Sequence, residues 1–149
     1  MGIEAKWQAG GMQFNVETAS GHTVILDAGP KVGGQNKGPR PTEMLLTGLA
    51  VCGGIDVVSI LNKMRVGLTR CDIAVDGDRA EEHPHRFTTI RVDYDMEGAE
   101  ITDAKAQKAL VLSRDKYCSV AATLNSRLEY RYRINGGDWV DVGAVKLEA

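Results

Sequence analysis

Residues 41–64 read PTEMLLTGLAVCGGIDVVSILNKM, and their apolar side chains recur at helical spacing for some twenty residues. Pro41 suits the first turn, where its missing N–H would have no intrahelical partner anyway. At 1.5 Å per residue such a helix is about 30 Å long, the span of a small domain. Its strongly apolar character predicts a central helix buried on most sides, in part by a second subunit if one is present. Gly48, Gly53 and Gly54 each cost about 1 kcal/mol against alanine inside a helix, so they mark close packing or a break beside Cys52.

Upstream, Ile3, Ala5 and Trp7 alternate, then Met12, Phe14 and Val16, then Val24 and Leu26, with Gly10-Gly11 and Ser20-Gly21 at the turns. Period-two patterning broken by such turns predicts an antiparallel meander of three strands. Residues 28–40, AGPKVGGQNKGPR, carry no apolar periodicity and read as a mobile loop of the kind that often serves function. Downstream, Gly67 opens a strand through Cys71, Ile73 and Val75. A second follows Pro84, with Ile90, Val92, Tyr94 and Met96 alternating against Arg91, Asp93 and Asp95. Thr102 is placed to cap a helix over DAKAQKALVLSRD, and a shorter helix runs from near Cys118 through Leu124. Leu128, Tyr130, Tyr132 and Ile134 form a last strong strand. Asn135-Gly136-Gly137 is a hairpin turn, with Trp139–Val142 returning as an edge strand. Strands, long helix, two strands, two helices and strand make an α+β fold rather than a βαβ alternation.

The 149 residues fit one domain, which at this size removes about two-thirds of its unfolded surface from water. A hydrophobic fraction of 43%, a charged fraction of 26% and a formal net charge of −2 offer no electrostatic footprint for nucleic acid or an anionic membrane. The N-terminus lacks the pattern of a secretory signal, and no segment approaches eighteen uninterrupted apolar residues, so a cytoplasmic protein is expected. Three cysteines are too few and odd-numbered for a disulfide scaffold. A reactive cysteine in a reducing compartment is instead catalytic or redox-active.

Cys52 lies within the long helix, with Asp56 one turn further along nearly the same face. Apolar burial alone raises a thiol pKa, so reactivity there requires a cationic or hydrogen-bonding neighbour; otherwise Cys52 is a small core residue. Cys118 precedes Ser119-Val120-Ala121 at a helix start, where unpaired N–H groups and the positive dipole end favour a thiolate, though a capping or buried role fits the same position. Cys71, in phase with Ile73 and Val75, reads as core. His83 and His85 lack a third ligand at readable spacing, and GPKVGGQNKG matches neither dinucleotide nor P-loop spacing. Neither a metal nor a cofactor is expected, and no Ser/His/Asp hydrolase signature is present.

PTEMLLTGLAVCGGIDVVSIL followed, 66 residues after Cys52, by KYCSVAATL resembles the superfamily of osmotically inducible protein C and organic hydroperoxide resistance protein (OsmC/Ohr). The resemblance covers roughly residues 3–134 and looks closest to a little-characterised branch. It implies a single OsmC-like domain over residues 1–149, forming a tightly intertwined homodimer with its active sites at the interface. It also implies that Cys52 attacks an organic hydroperoxide to give a sulfenic acid, that Cys118 resolves it as a disulfide, and that an external dithiol reduces the product. The family's supporting residues fall on Glu43 and Arg40. The position directly after the proline, acidic in the family, is Thr42 here, and the acid is displaced to Glu43. Nine residues from Cys52, Glu43 would lie on the opposite side of an ideal helix, and a favourable first-turn charge is its other reading. Arg40, the only arginine in residues 1–64, is the candidate to lower the thiol pKa, or else a solvated loop charge. A non-catalytic OsmC-like protein, binding a small apolar ligand or sensing oxidants at the dimer interface, is the alternative.

Overall fold

A computed structural model describes residues 1–146, which form two compact units, one over Met1–Leu45 and the other from Leu46 onward. In the N-terminal unit β1 (Ile3–Trp7), β2 (Phe14–Thr18) and β3 (Thr23–Leu26) form the expected antiparallel meander, in the order β1-β2-β3. The loop after β3 is organised by Asp27. Only 2% exposed, its carboxylate accepts backbone N–H bonds from Ala28 (2.8 Å), Gln35 (2.9 Å) and Lys37 (3.0 Å). These bonds hold the Asp27 carboxyl below the usual carboxylate range, the Lys37 amide contributing most.

Helix α1 runs unbroken over Pro41–Lys63, so the glycines beside Cys52 mark close packing rather than a break. By length and composition alone α1 could cross a bilayer. Yet Leu49, Gly53, Gly54, Val57 and Leu61 are buried against protein. Val51 is 53% and Ile55 65% exposed, so among the described residues the helix is not enclosed on most sides.

In the second unit β4 (Leu68–Arg79), β5 (Phe87–Gly98), β6 (Arg127–Ile134) and β7 (Val140–Lys146) form one sheet in the order β4-β5-β6-β7. Alternation sorts its faces. Ile90, Val92, Tyr94, Met96, Leu128, Tyr130 and Tyr132 are buried, while ion pairs Arg91–Asp78, Arg131–Asp93 and Arg133–Asp95 cross the strands on the other side. Each large buried side chain contributes roughly 1.5–3 kcal/mol. The pair β5–β6 is parallel, Tyr94 opposite Tyr132, with α2 (Asp103–Leu112) and α3 (Ser119–Thr123) in the crossover between them. Thr102 Oγ1 caps α2 as expected, accepting from the Lys105 N–H at 3.3 Å. The helix expected to continue through Asp115 widens instead into a five-residue π turn, Ser113–Tyr117. Asn135 and Gly136 take the positive φ (49° and 71°) that the tight β6–β7 hairpin needs.

The two central glycines of α1 face different neighbours. A Cβ on Gly53 would sit 2.5 Å from the Tyr94 hydroxyl oxygen, the tip of a fully buried ring, whereas one on Gly54 would meet only the movable Ile73 Cδ1 at 2.6 Å. Gly53→Ala should therefore be destabilising by about 1–2 kcal/mol despite its gain in helix propensity, and Gly54→Ala should stay within about 1 kcal/mol of wild type. Urea denaturation at one fixed protein concentration measures the difference.

Candidate functional site

Helix α1 carries Cys52 and Asp56 one turn apart, and α3 carries Cys118 at its N-cap. These residues converge: the Sγ atoms of Cys52 and Cys118 and a carboxylate oxygen of Asp56 all lie within 4.8 Å of one another. The two sulfurs are thus within 4.8 Å of each other. All three cysteines are free.

Ser113, the first residue of the π turn, ties this cluster together. Its buried hydroxyl donates to Asp56 Oδ2 at 3.2 Å and also lies 3.4 Å from the Gly53 carbonyl oxygen. Its own carbonyl accepts the Cys118 N–H at 2.8 Å, which sets the start of α3. One residue thus fixes the Asp56 carboxylate and the Cys118 backbone together. Nothing local in the sequence marks Ser113, which reads there as one more helical position. Asp56 did carry a signal, its spacing of four from Cys52.

Cys118 does not behave as its helix-start position suggests. Its Sγ accepts the Ala121 N–H at 3.4 Å, the interaction expected to favour a thiolate. The residue is, however, only 3% exposed and α3 is a five-residue turn with little dipole. Burial wins and pushes the thiol up to about 11; the Ala121 and Val120 amides lower it, while the Cys52 thiol beside it raises it. Tyr94 and Tyr130, buried nearby, are likewise held neutral by loss of solvent. Cys71 is half-buried on β4, its thiol raised to about 11 chiefly by burial, and it lines an open groove beside α1 rather than joining the cluster.

Arg40 and Glu43 lie in the N-terminal unit, where the structure brings them to each other. The Arg40 N–H donates to Glu43 Oε2 at 2.7 Å, a first-turn carboxylate satisfying a backbone donor ahead of α1. The Arg40 guanidinium donates to Asn36 Oδ1 (2.6 Å) and the Gly38 carbonyl (3.2 Å).

The model of the OsmC-like protein family matches residues 34–132. Protein YhfA of Escherichia coli K12 is 39% identical over 124 residues, covering 83% of this chain and 89% of that protein. A solved structure of a hypothetical protein from Aquifex aeolicus VF5 superposes with a TM-score of 0.78 at 27% identity, covering 92% and 97% of the two chains. An organic hydroperoxide resistance protein OsmC from Legionella pneumophila shares the fold, with a TM-score of 0.61 at 15% identity over 90% and 96%.

Because its folded pKa is raised, Cys118 should alkylate slowly at neutral pH and accelerate as pH climbs from about 9 toward about 11. In Cys52→Ser the neighbouring thiol no longer opposes ionisation, so the rise should shift to lower pH while burial keeps it above that of a free cysteine. Iodoacetamide labelling followed by mass spectrometry of the Cys118 peptide checks both.

Proposed function

The chain belongs to the OsmC-like protein family, and from that premise we propose that it is a thiol-dependent peroxidase acting on organic hydroperoxides. The observation that supports this most is the approach of the two thiols, 66 residues apart in sequence, to within 4.8 Å of each other beside one carboxylate. In the proposed reaction the Cys52 thiolate attacks the terminal peroxide oxygen. An S–O bond forms, the O–O bond breaks, and the alkoxide takes up from solvent the proton that Cys52 released on ionising, leaving as an alcohol. The Cys118 sulfur then attacks the sulfenic sulfur, forming S–S and releasing water.

That second step needs the buried Cys118 to lose its proton as it attacks, since little of it is ionised beforehand. Asp56, held by Ser113, is the acceptor within reach of both sulfurs, and it returns the proton to the departing hydroxide. An external dithiol then reduces the disulfide, so that hydroperoxide and dithiol become alcohol, water and oxidised dithiol. Arg40 and Glu43 keep the supporting parts that the family resemblance gives them. Free thiols suit a reducing compartment, and the proposed location is the cytoplasm.

Family members are generally dimers, and the proposal includes pairing of two copies of this chain. Exposed apolar residues support it: Val51 and Ile55 on α1, which line an open groove of about 780 Å³ with Val58, Cys71 and Ile73, and Trp7, Phe14 and Ile25 on the meander.

One equivalent of cumene hydroperoxide should yield a Cys52–Cys118 disulfide by mass spectrometry. Turnover with dihydrolipoamide should vanish in Cys52→Ser and fall at least tenfold in Arg40→Ala. Absence of the disulfide, while a control peroxidase forms its own, rejects the reading. Dimerisation has a separate check: light scattering after size exclusion should give twice the chain mass for wild type and a monomer for Val51→Asp/Ile55→Asp.

A further inference from the structure

Two cysteines and an aspartate whose donor atoms converge also resemble half of a coordination sphere. We propose that the reduced protein binds one thiophilic divalent cation of the Zn²⁺ class through Cys52 Sγ, Cys118 Sγ and an Asp56 carboxylate oxygen. Bond lengths of about 2.3 Å to sulfur and 2.0–2.2 Å to oxygen put donors of a tetrahedral site roughly 3.3–3.8 Å apart. The three donors here lie within 4.8 Å of one another, so about an ångström of side-chain rotation closes the sphere.

A second observation independent of that convergence is the way the donors are supported. Carboxylate ligands in metal sites are themselves hydrogen-bonded, and Asp56 Oδ2 accepts from the buried Ser113 hydroxyl at 3.2 Å. The Cys118 sulfur accepts the Ala121 amide at 3.4 Å, which a metal-bound thiolate would retain. The donor set also selects the ion. Two thiolates exclude Mg²⁺ and Ca²⁺, while the carboxylate favours borderline Zn²⁺ over Cu⁺. Three protein ligands leave a fourth position for water, and Asp56 itself lines a cavity of about 300 Å³ together with Ser59 and Tyr117. Binding is a ligand exchange in which the cation enters and two thiol protons pass to buffer. While it is bound, neither sulfur is available to peroxide, so metal occupancy and peroxide reduction exclude each other.

The test uses reduced, chelator-stripped full-length protein with Co²⁺ as the spectroscopic probe. One Co²⁺ per chain should produce sulfur-to-cobalt charge transfer with the visible bands of tetrahedral cobalt, displaced stoichiometrically by Zn²⁺. Zinc should shield two of the three thiols from a thiol reagent in the wild-type protein, a readout needing no variant. Cys118→Ser and Asp56→Asn should each weaken cobalt at least tenfold and Ser113→Ala about tenfold, while Cys71→Ser leaves it unchanged. Lack of charge transfer at stoichiometric cobalt, unshielded thiols, or binding indifferent to Cys118→Ser would overturn the site. Peroxide turnover is measured on stripped protein with chelator present, so failure of metal binding and failure of the peroxidase reading are told apart.

Discussion

The structure of the second unit depends on one close approach: the backbone of α1 at Gly53 against the tip of the Tyr94 ring on β5. With no Cβ in the way, helix and sheet close on each other, and the Gly53 carbonyl comes within reach of the Ser113 hydroxyl. Ser113 in turn holds Asp56 and the N–H of Cys118. A single missing methyl therefore sets the distance between two cysteines that no local element brings together. The π turn belongs to the same constraint, because a continued α-helix would carry Cys118 with a different phase relative to Ser113.

Electrostatically the cluster is poised against itself. Burial disfavours the charged form of Cys118, Asp56 adds a carboxylate within the same few ångströms, and the amide donors of Ala121 and Val120 offset only part of that cost. Such a site favours any event that removes negative charge or spreads it. Disulfide formation does the first, proton transfer to Asp56 keeps the total constant while sulfur attacks, and a bound cation neutralises the charge outright. The same physics would serve both proposed chemistries, which cannot coincide.

Much of the fold was legible because its periodicities are strong. Ile90, Val92, Tyr94 and Met96 alternate against Arg91, Asp93 and Asp95, and all four apolar residues are buried. The Thr102 cap and the Asn135-Gly136 turn were likewise local chemistry read locally. The parallel pairing of β5 with β6 was not legible, since it depends on a crossover rather than on a turn. Asp27 was hidden for a related reason: its three amide partners lie up to ten residues away in a loop without pattern. The cysteine pair was visible as spacing and resemblance, but the state of Cys118 was not. Position at a helix start argued for a thiolate; burial, which only the tertiary structure reveals, decided the other way.

Helix α1 shows the same division between local and global information. Its sequence is apolar nearly all round, and a helix of that kind is stable in water only when covered on every side. Among the described residues Leu49, Gly53, Gly54, Val57 and Leu61 are buried along one stripe, while Ile55 is 65% exposed. The uncovered stripe is continuous with the groove that Cys71 and Ile73 line on β4. Cys52 lies between the two stripes, half-buried, with Val51 on one side and Gly53 on the other. Whatever covers the outer stripe therefore also decides how much solvent reaches the Cys52 sulfur, so that the proposed assembly and the proposed reactivity would be coupled through one turn of helix.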